Sequence, residues 1–129
     1  MPRIAVINDD TAFLQLMYEL LSDEGYETEI YRETTAIHAT LRQEQPDLVI
    51  IDIRMEQPST GWQVLEMLRL DPVTSRIPVI VCSADANDLR AKEELLQRNG
   101  YASLVKPFDL EDLLTMVRDK IGPATREGE

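Results

Sequence analysis

Along the chain, short apolar runs alternate with stretches in which apolar residues recur every three or four positions. Ile4–Ile7, Leu48–Ile51 and Val79–Cys82 are unbroken and rich in β-branched residues, the pattern of strands buried on both faces. Thr28–Tyr31 is mixed with charge and Ala102–Val105 is short, so both suit the edges of a sheet. Phe13, Met17, Leu20 and Leu21 line one helical face, which Glu24 and Gly25 close. Leu110, Leu113, Leu114, Val117 and Ile121 line another, stopped by Gly122 and Pro123. Gly61–Leu70 and Asp88–Arg98 supply two more helices, the second closed by Asn99 and Gly100. Glu33–Gln43 is the weakest, with Ile37 and Leu41 as its apolar contacts.

The order is β-α five times, with no repeat and no internal linker. Strands alternating with helices imply a parallel sheet covered on both faces by right-handed crossovers. Placing the two weak strands at the edges gives a doubly wound α/β fold, (βα)5, of flavodoxin-like order 2-1-3-4-5. One domain is expected over residues 1–121, with 122–129 as a polar tail. Met17, Met67 and Met116 are expected as core or near-core filler.

At 129 residues and 43% apolar content, the chain can bury one core without staples. Cys82, the only cysteine, sits inside the fourth strand, so no internal disulfide is possible and nothing points to secretion. No apolar stretch reaches the length of a membrane span, and the N-terminus lacks a signal-peptide core, which leaves the cytoplasm as the default location. A formal net charge of −11 repels nucleic acid and anionic lipid, so neither direct nucleic-acid binding by this segment nor membrane contact is expected.

In an open parallel sheet, ligands bind beyond the carboxyl ends of the strands. Those positions hold Asn8, Asp9 and Asp10 after the first strand, and Asp52 after the third. The fourth strand ends in Ser83 and Ala84, and the fifth in Lys106 and Pro107. Singly, most have ordinary roles. Asp10 or Thr11 can cap the first helix, the reading preferred for Asp10; Asp9 can be a loop carboxylate, Ser83 a turn residue and Lys106 a solvated cation. Asp52 resists such a reading, because it follows four apolar residues at the sheet centre, where an unpaired charge is costly. Together they bring carboxylates, a hydroxyl and an ammonium to one rim. Two carboxylates about 4 Å apart repel by roughly 4 kcal/mol at an effective dielectric of about 20. A lysine offsets part of this and a hard divalent cation the rest; Mg²⁺ suits such a set. A carboxylate so held is placed as a nucleophile toward phosphorus, with Lys106 and Ser83 neutralising the phosphoryl oxygens.

The motifs Asn8-Asp9-Asp10, Asp52-Ile53-Arg54-Met55, Ser83-Ala84 and Lys106-Pro107-Phe108 resemble the signature of response-regulator receiver domains of two-component signal transduction. The match runs from Arg3 to Ile121. The resemblance implies that Asp52 is the phosphoacceptor and that Asp9, Asp52 and the backbone carbonyl of Arg54 bind Mg²⁺ (or Mn²⁺). It implies that Asn8 approaches the metal through water, and that Ser83 bonds the phosphoryl group and moves toward it. Lys106 would pair with the phosphoryl oxygens, ahead of a cis proline at Pro107. The implied donor is a phosphohistidine on a sensor histidine kinase or a histidine phosphotransfer protein. Output would be a changed affinity for a downstream protein, through the family's usual face of fourth helix, fifth strand and fifth helix.

The chain departs from that pattern in three places. Asn8 stands where the family usually has Asp or Glu, which removes one charge from the metal site. Glu56 and Thr60 stand where proline and glycine are common, with Pro58 and Gly61 displaced, as for a loop one residue longer. Ser103 stands where a Tyr or Phe often rotates inward behind the switch hydroxyl. Tyr101 falls on the same face by alternation, and either takes over that role or leaves it unfilled. Arg54 and Asp85, two residues after the phosphoacceptor and the switch hydroxyl, would form an ion pair over the mouth of the site in the phosphorylated state.

A receiver-like interaction module that works without phosphorylation is the alternative, kept open by Asn8 and Ser103. A phosphatase with an aspartyl-phosphate intermediate typically needs a carboxylate where Arg54 stands, and a flavin protein needs a glycine-rich phosphate loop where this chain is acidic. His38 is expected at the surface rather than as a ligand, and Trp62 is expected to pack against the long loop. Arg90, Lys92, Glu93 and Glu94 are expected as a solvated helix face.

Overall fold

A computed structural model describes residues 2–53 and 60–123. The elements are β1 (Arg3–Ile7), α1 (Thr11–Asp23), β2 (Glu27–Tyr31), α2 (Ile37–Glu44), β3 (Leu48–Asp52), α3 (Thr60–Leu70), β4 (Val79–Ser83), α4 (Ala86–Ala91), α5 (Glu93–Arg98), β5 (Ala102–Val105) and α6 (Leu110–Ile121). All strand pairs are parallel and the sheet order is β2-β1-β3-β4-β5, as the sequence predicts.

Because side chains alternate across a strand, the apolar runs feed two cores at once. Ala5, Ile7, Val49, Ile51, Val79 and Val81 face α2, α3, α4 and α5, meeting Leu41, Leu68, Leu89 and Leu96. Ile4, Val6, Leu48, Ile50, Ile80 and Cys82 face α1 and α6, meeting Met17, Leu21, Leu113 and Val117. Each fully buried Leu or Ile contributes about 1.5–3 kcal/mol of transfer free energy. No helix among the described residues is long and apolar enough to cross a membrane.

Arg3 ties the opposite, N-terminal rim together. Its guanidinium reaches Glu29 and Glu44 at 2.9 Å each, and its backbone N–H reaches Asp47 at 2.7 Å. One cation thereby joins β2, β1, the end of α2 and the start of β3.

Three expectations need correction. The predicted helix Asp88–Arg98 is two short helices, α4 and α5, parted at Lys92. It starts earlier than expected because Asp85 caps it, accepting from the Asp88 N–H at 3.0 Å. The weak helix begins at Ile37 rather than Glu33, because Ala36 takes a left-handed conformation, φ 59°, just before it. Met67 is 48% exposed rather than core filler, since Val64, Leu65 and Leu68 form the inward face of α3. Met17 is fully buried and Met116 packs against the second core, as expected.

Gly61, in the first turn of α3, lies directly against the strand end that precedes it. A Cβ there would stand 2.3 Å from the Ile53 carbonyl oxygen and 2.6 Å from its Cα. Both are backbone atoms and cannot rotate away. Gly61→Ala is therefore expected to cost about 2–3 kcal/mol of stability, read from urea denaturation. A variant within experimental error of wild type would mean that α3 can slide off β3 freely.

Candidate functional site

Of the predicted residues, Asn8, Asp9, Asp52, Ser83 and Lys106 lie at the C-terminal rim of the sheet. Asp52 closes β3 after four buried residues, and its side chain keeps only 13% of its exposure. Donors reach it from both sides. Asn8, just past β1, is 1% exposed and donates from Nδ2 to Asp52 Oδ2 at 3.2 Å. Its Oδ1 accepts the Asp10 N–H at 2.8 Å, so the side-chain amide is fixed at both ends, and its backbone N–H bonds to the Tyr31 carbonyl at 3.0 Å. Lys106, just past β5, places Nζ 2.6 Å from the same Asp52 oxygen. A charge-assisted bond of this kind is worth about 1.5–3 kcal/mol.

Lys106 stands two strands away from Asp52, and its side chain crosses the end of β4. That crossing is possible because β4 ends in Ser83, which is small and fully buried; the Lys106 N–H also bonds to the Ser83 carbonyl at 2.8 Å. The peptide between Lys106 and Pro107 is cis, as the resemblance implies.

Phe13 is a site residue that the sequence reading does not single out. The Lys106 ammonium lies 4.5 Å from its ring centroid, and Phe108 meets the same ring edge-on at 6.4 Å. An aromatic face attracts a cation by about 0.5–2 kcal/mol, so the ammonium is held between a carboxylate and a ring. The readable signal was its position: Asp10 accepts from the N–H groups of Ala12 and Phe13, which puts Phe13 on the turn nearest the rim. Asp10 is thus the helix cap, as preferred. Asp9 is exposed at the rim and lines a cleft with Tyr31, Arg32 and Thr35.

The Ser83 hydroxyl is engaged in the loop that follows it, where Oγ accepts the Asp85 N–H at 3.0 Å. Cys82 pairs in register with Asp52, and burial pushes its thiol up to about 12, with Lys106 opposing in part. It remains a protonated, inert thiol. Arg54, assigned a metal-facing carbonyl by resemblance, lies outside the described residues, as do Glu56 and Pro58; the pairing of Arg54 with Asp85 and the loop length belong there too. Tyr101 is buried in the first core, and Ser103, on the same face of β5, is exposed.

Two further residues are tied more firmly than expected. His38 is partly buried and bonds through Nε2 to Asp71 Oδ2 at 2.8 Å, beside Arg42 at 3.0 Å, so it joins α2 to the turn after α3 rather than lying free on the surface. The Val73 N–H, with His38 and Arg42, holds the Asp71 carboxyl below the usual range. Trp62 donates from its indole to Asp88 Oδ2 on α4 at 3.0 Å, a contact the sequence does not announce.

A family model described as the response regulator receiver domain matches residues 4–118. The chain belongs to that family. This receiver is 32% identical over 135 residues to the DNA-binding dual master transcriptional regulator RpaA of Synechocystis sp., with 100% of the chain and 55% of the relative covered. It is 27% identical to the polar-differentiation response regulator DivK of Brucella anthropi, over 96% of the chain and 100% of that protein. The receiver spans about half the length of several curated relatives that it matches, RpaA included. The receiver domain of a Pseudomonas aeruginosa sensor histidine kinase shares the fold, with a TM-score of 0.77 at 20% identity over 94% of this chain and 98% of that one. That structure is described with a magnesium ion coordinated in its active-site cleft.

Asn8 neutralises Asp52 as a hydrogen-bond donor, where an aspartate would repel it. Asn8→Asp is therefore expected to lower stability by about 1–3 kcal/mol in EDTA. Mg²⁺ should restore most of that loss, since binding to the folded state adds stability and the extra carboxylate tightens binding. Urea denaturation with and without Mg²⁺ measures both. Equal stability of the two proteins in EDTA would mean that the Asn8 amide contributes nothing at Asp52.

Proposed function

We propose that this receiver accepts a phosphoryl group on Asp52 from a phosphohistidine, borne by a sensor histidine kinase or a histidine phosphotransfer protein, and signals by changing its affinity for a protein partner. The observation that carries this reading is a carboxylate at the end of the buried central strand, gripped by Lys106 at 2.6 Å, with a buried hydroxyl on the next strand.

In the proposed transfer, an oxygen of Asp52 attacks phosphorus in line with the histidine nitrogen. The P–N bond breaks and its electron pair stays on the imidazole, which leaves as the neutral ring once protonated. Lys106 moves its ammonium onto the incoming phosphoryl oxygens, guided by the Phe13 ring, and Ser83 donates its hydroxyl to another. The same groups permit slow hydrolysis of the acyl phosphate when a water takes the in-line position.

The residues present fit a hard divalent cation. The oxygen donors at the rim are the carboxylates of Asp9 and Asp52, while Asn8 turns its amide N–H to Asp52 and its oxygen to the Asp10 N–H, so it would reach a cation only through water. Among the described residues no three or more His, Cys, Asp or Glu side chains cluster as a metal cage. Two carboxylates plus waters and phosphoryl oxygens is a donor set that suits Mg²⁺ or Mn²⁺ better than a dedicated protein cage would. Mg²⁺, when bound, supplies charge neutralisation for the carboxylates and the transferred group. We take residues 1–121 as the domain, and its acidity argues against nucleic acid and anionic membrane as partners.

Incubation with acetyl phosphate and Mg²⁺ is expected to add one phosphate, seen by intact mass, and Asp52→Asn should abolish the addition. Undiminished labelling of that variant would move the role to Asp9 or Asp10. A wild-type protein that takes no phosphate from either acetyl phosphate or a phosphorylated histidine donor would favour the interaction module instead.

A further inference from the structure

The hydroxyl that the proposed reaction draws toward Asp52 is already spoken for. Ser83 Oγ accepts the Asp85 N–H at 3.0 Å. Asp85 caps α4, its Oδ1 accepting the Asp88 N–H at 3.0 Å. The Asp88 side chain turns to α3, where its Oδ2 accepts the indole N–H of Trp62 at 3.0 Å. Lys92, at the break between α4 and α5, sets its ammonium 5.7 Å from the centroid of the same ring. These contacts form a continuous relay from a fully buried hydroxyl to an aromatic side chain on another helix.

We infer that Trp62 is the aromatic element of the switch in this chain. The inference rests on the phosphorylation reading of Asp52. Withdrawal of Ser83 Oγ toward Asp52 releases the Asp85 N–H, loosens the cap of α4 and lets the indole move, so the state of the site is read between α3 and α4.

Three observations favour this route. A partly buried N–H that loses its acceptor has to find another, so the backbone at Asp85, where the cap begins, readjusts when Ser83 leaves. The helix it caps has only six residues before the break at Lys92, so one cap is a large share of what defines it. The usual aromatic position on β5 holds exposed Ser103, whereas Trp62 walls a cleft of about 160 Å³ with Leu65, Leu96 and Tyr101. Movement of the indole therefore reshapes a surface depression, a change that a partner could sense. By linkage the relay acts in both directions: bonds that keep Ser83 on Asp85 oppose activation at Asp52.

Trp62 is the only tryptophan, so fluorescence reports it directly. Beryllofluoride with Mg²⁺, which mimics the phosphoryl group, is expected to change the emission of the wild type. Asp88→Ala cuts the relay between the cap and the indole without touching the site. Its emission should already be displaced and respond little. Beryllofluoride should bind it about fivefold more tightly, the factor for one ordinary hydrogen bond removed from the resting state. Trp62→Phe, which keeps a ring and loses the donor, should show the same gain in a fluorine NMR titration. A full fluorescence response in Asp88→Ala would mean that the signal reaches Trp62 through the segment after Asp52, and would overturn the relay. Unchanged or weaker beryllofluoride affinity in both variants would overturn it as well. Intact mass after acetyl phosphate separates the two readings: phosphate uptake with a silent Trp62 removes the relay alone, and no uptake removes both.

Discussion

A carboxylate at the end of a sealed strand has to be met by donors, and most of this receiver's rim is arranged around that requirement at Asp52. Its four predecessors in β3 lie inside the sheet, and among the described residues relief comes from the neighbouring strand ends. β1 supplies the Asn8 amide and β5 the Lys106 ammonium, and both close on one oxygen. For Lys106 to arrive, β4 must end in a small residue, and it ends in Ser83. For the ammonium to stay, an aromatic ring must lie beneath it, and Phe13 is set there by the cap of α1. The site is thus preformed, and whatever binds at Asp52 must compete with Lys106 rather than fill an empty rim.

Charge is handled differently at the other end of the strands. There a single guanidinium, that of Arg3, pairs with three carboxylates, those of Glu27, Glu29 and Glu44, while its backbone N–H meets a fourth, that of Asp47. The network is partly exposed, so each contact is worth less than its geometry suggests, and salt will weaken it. One rim is organised around a carboxylate that is nearly dry, the other around a cation that remains wet. Chemistry belongs to the former, because only there does a change of charge strongly disturb its neighbours.

Much of this was legible in the amino-acid order. A sheet covered on both faces demands strands without a polar side, and Leu48–Ile51 and Val79–Cys82 have none. The strand ends then locate Asn8, Asp52, Ser83 and Lys106 by topology, with no knowledge of distances. What stayed hidden depended on partners far away in the chain. His38 meets Asp71 across 33 positions and Trp62 meets Asp88 across 26, so no local pattern marks either. The break at Lys92 has the same origin: the residues on either side are good helix formers, and the interruption sits where the lysine leans over an indole from another helix. Met67 misled because α3 has enough apolar residues to suggest a wider face than it buries; the sheet takes Val64, Leu65 and Leu68 and leaves Met67 outside.

The second helix has a different character from its neighbours. Left-handed residues that are not glycine bound it on both sides, Ala36 at φ 59° and Gln45 at φ 47°, and Ala36 offers no side-chain cap. Each such residue stores about 1–3 kcal/mol that the surroundings must outweigh. Those surroundings are two buried side chains, Ile37 and Leu41, with polar ties from Arg3 to Glu44 and from His38 and Arg42 to Asp71. A segment so held is expected to open as a cooperative unit below the free energy of global unfolding. Its amides will trade protons with solvent while those of β3 and β4 wait for the whole molecule to come apart. Ile37 and Thr40 line the cleft that Asp9 shares, so an opening of this helix would be felt first beside Asp9 and not in the strands that carry Asp52 and Ser83.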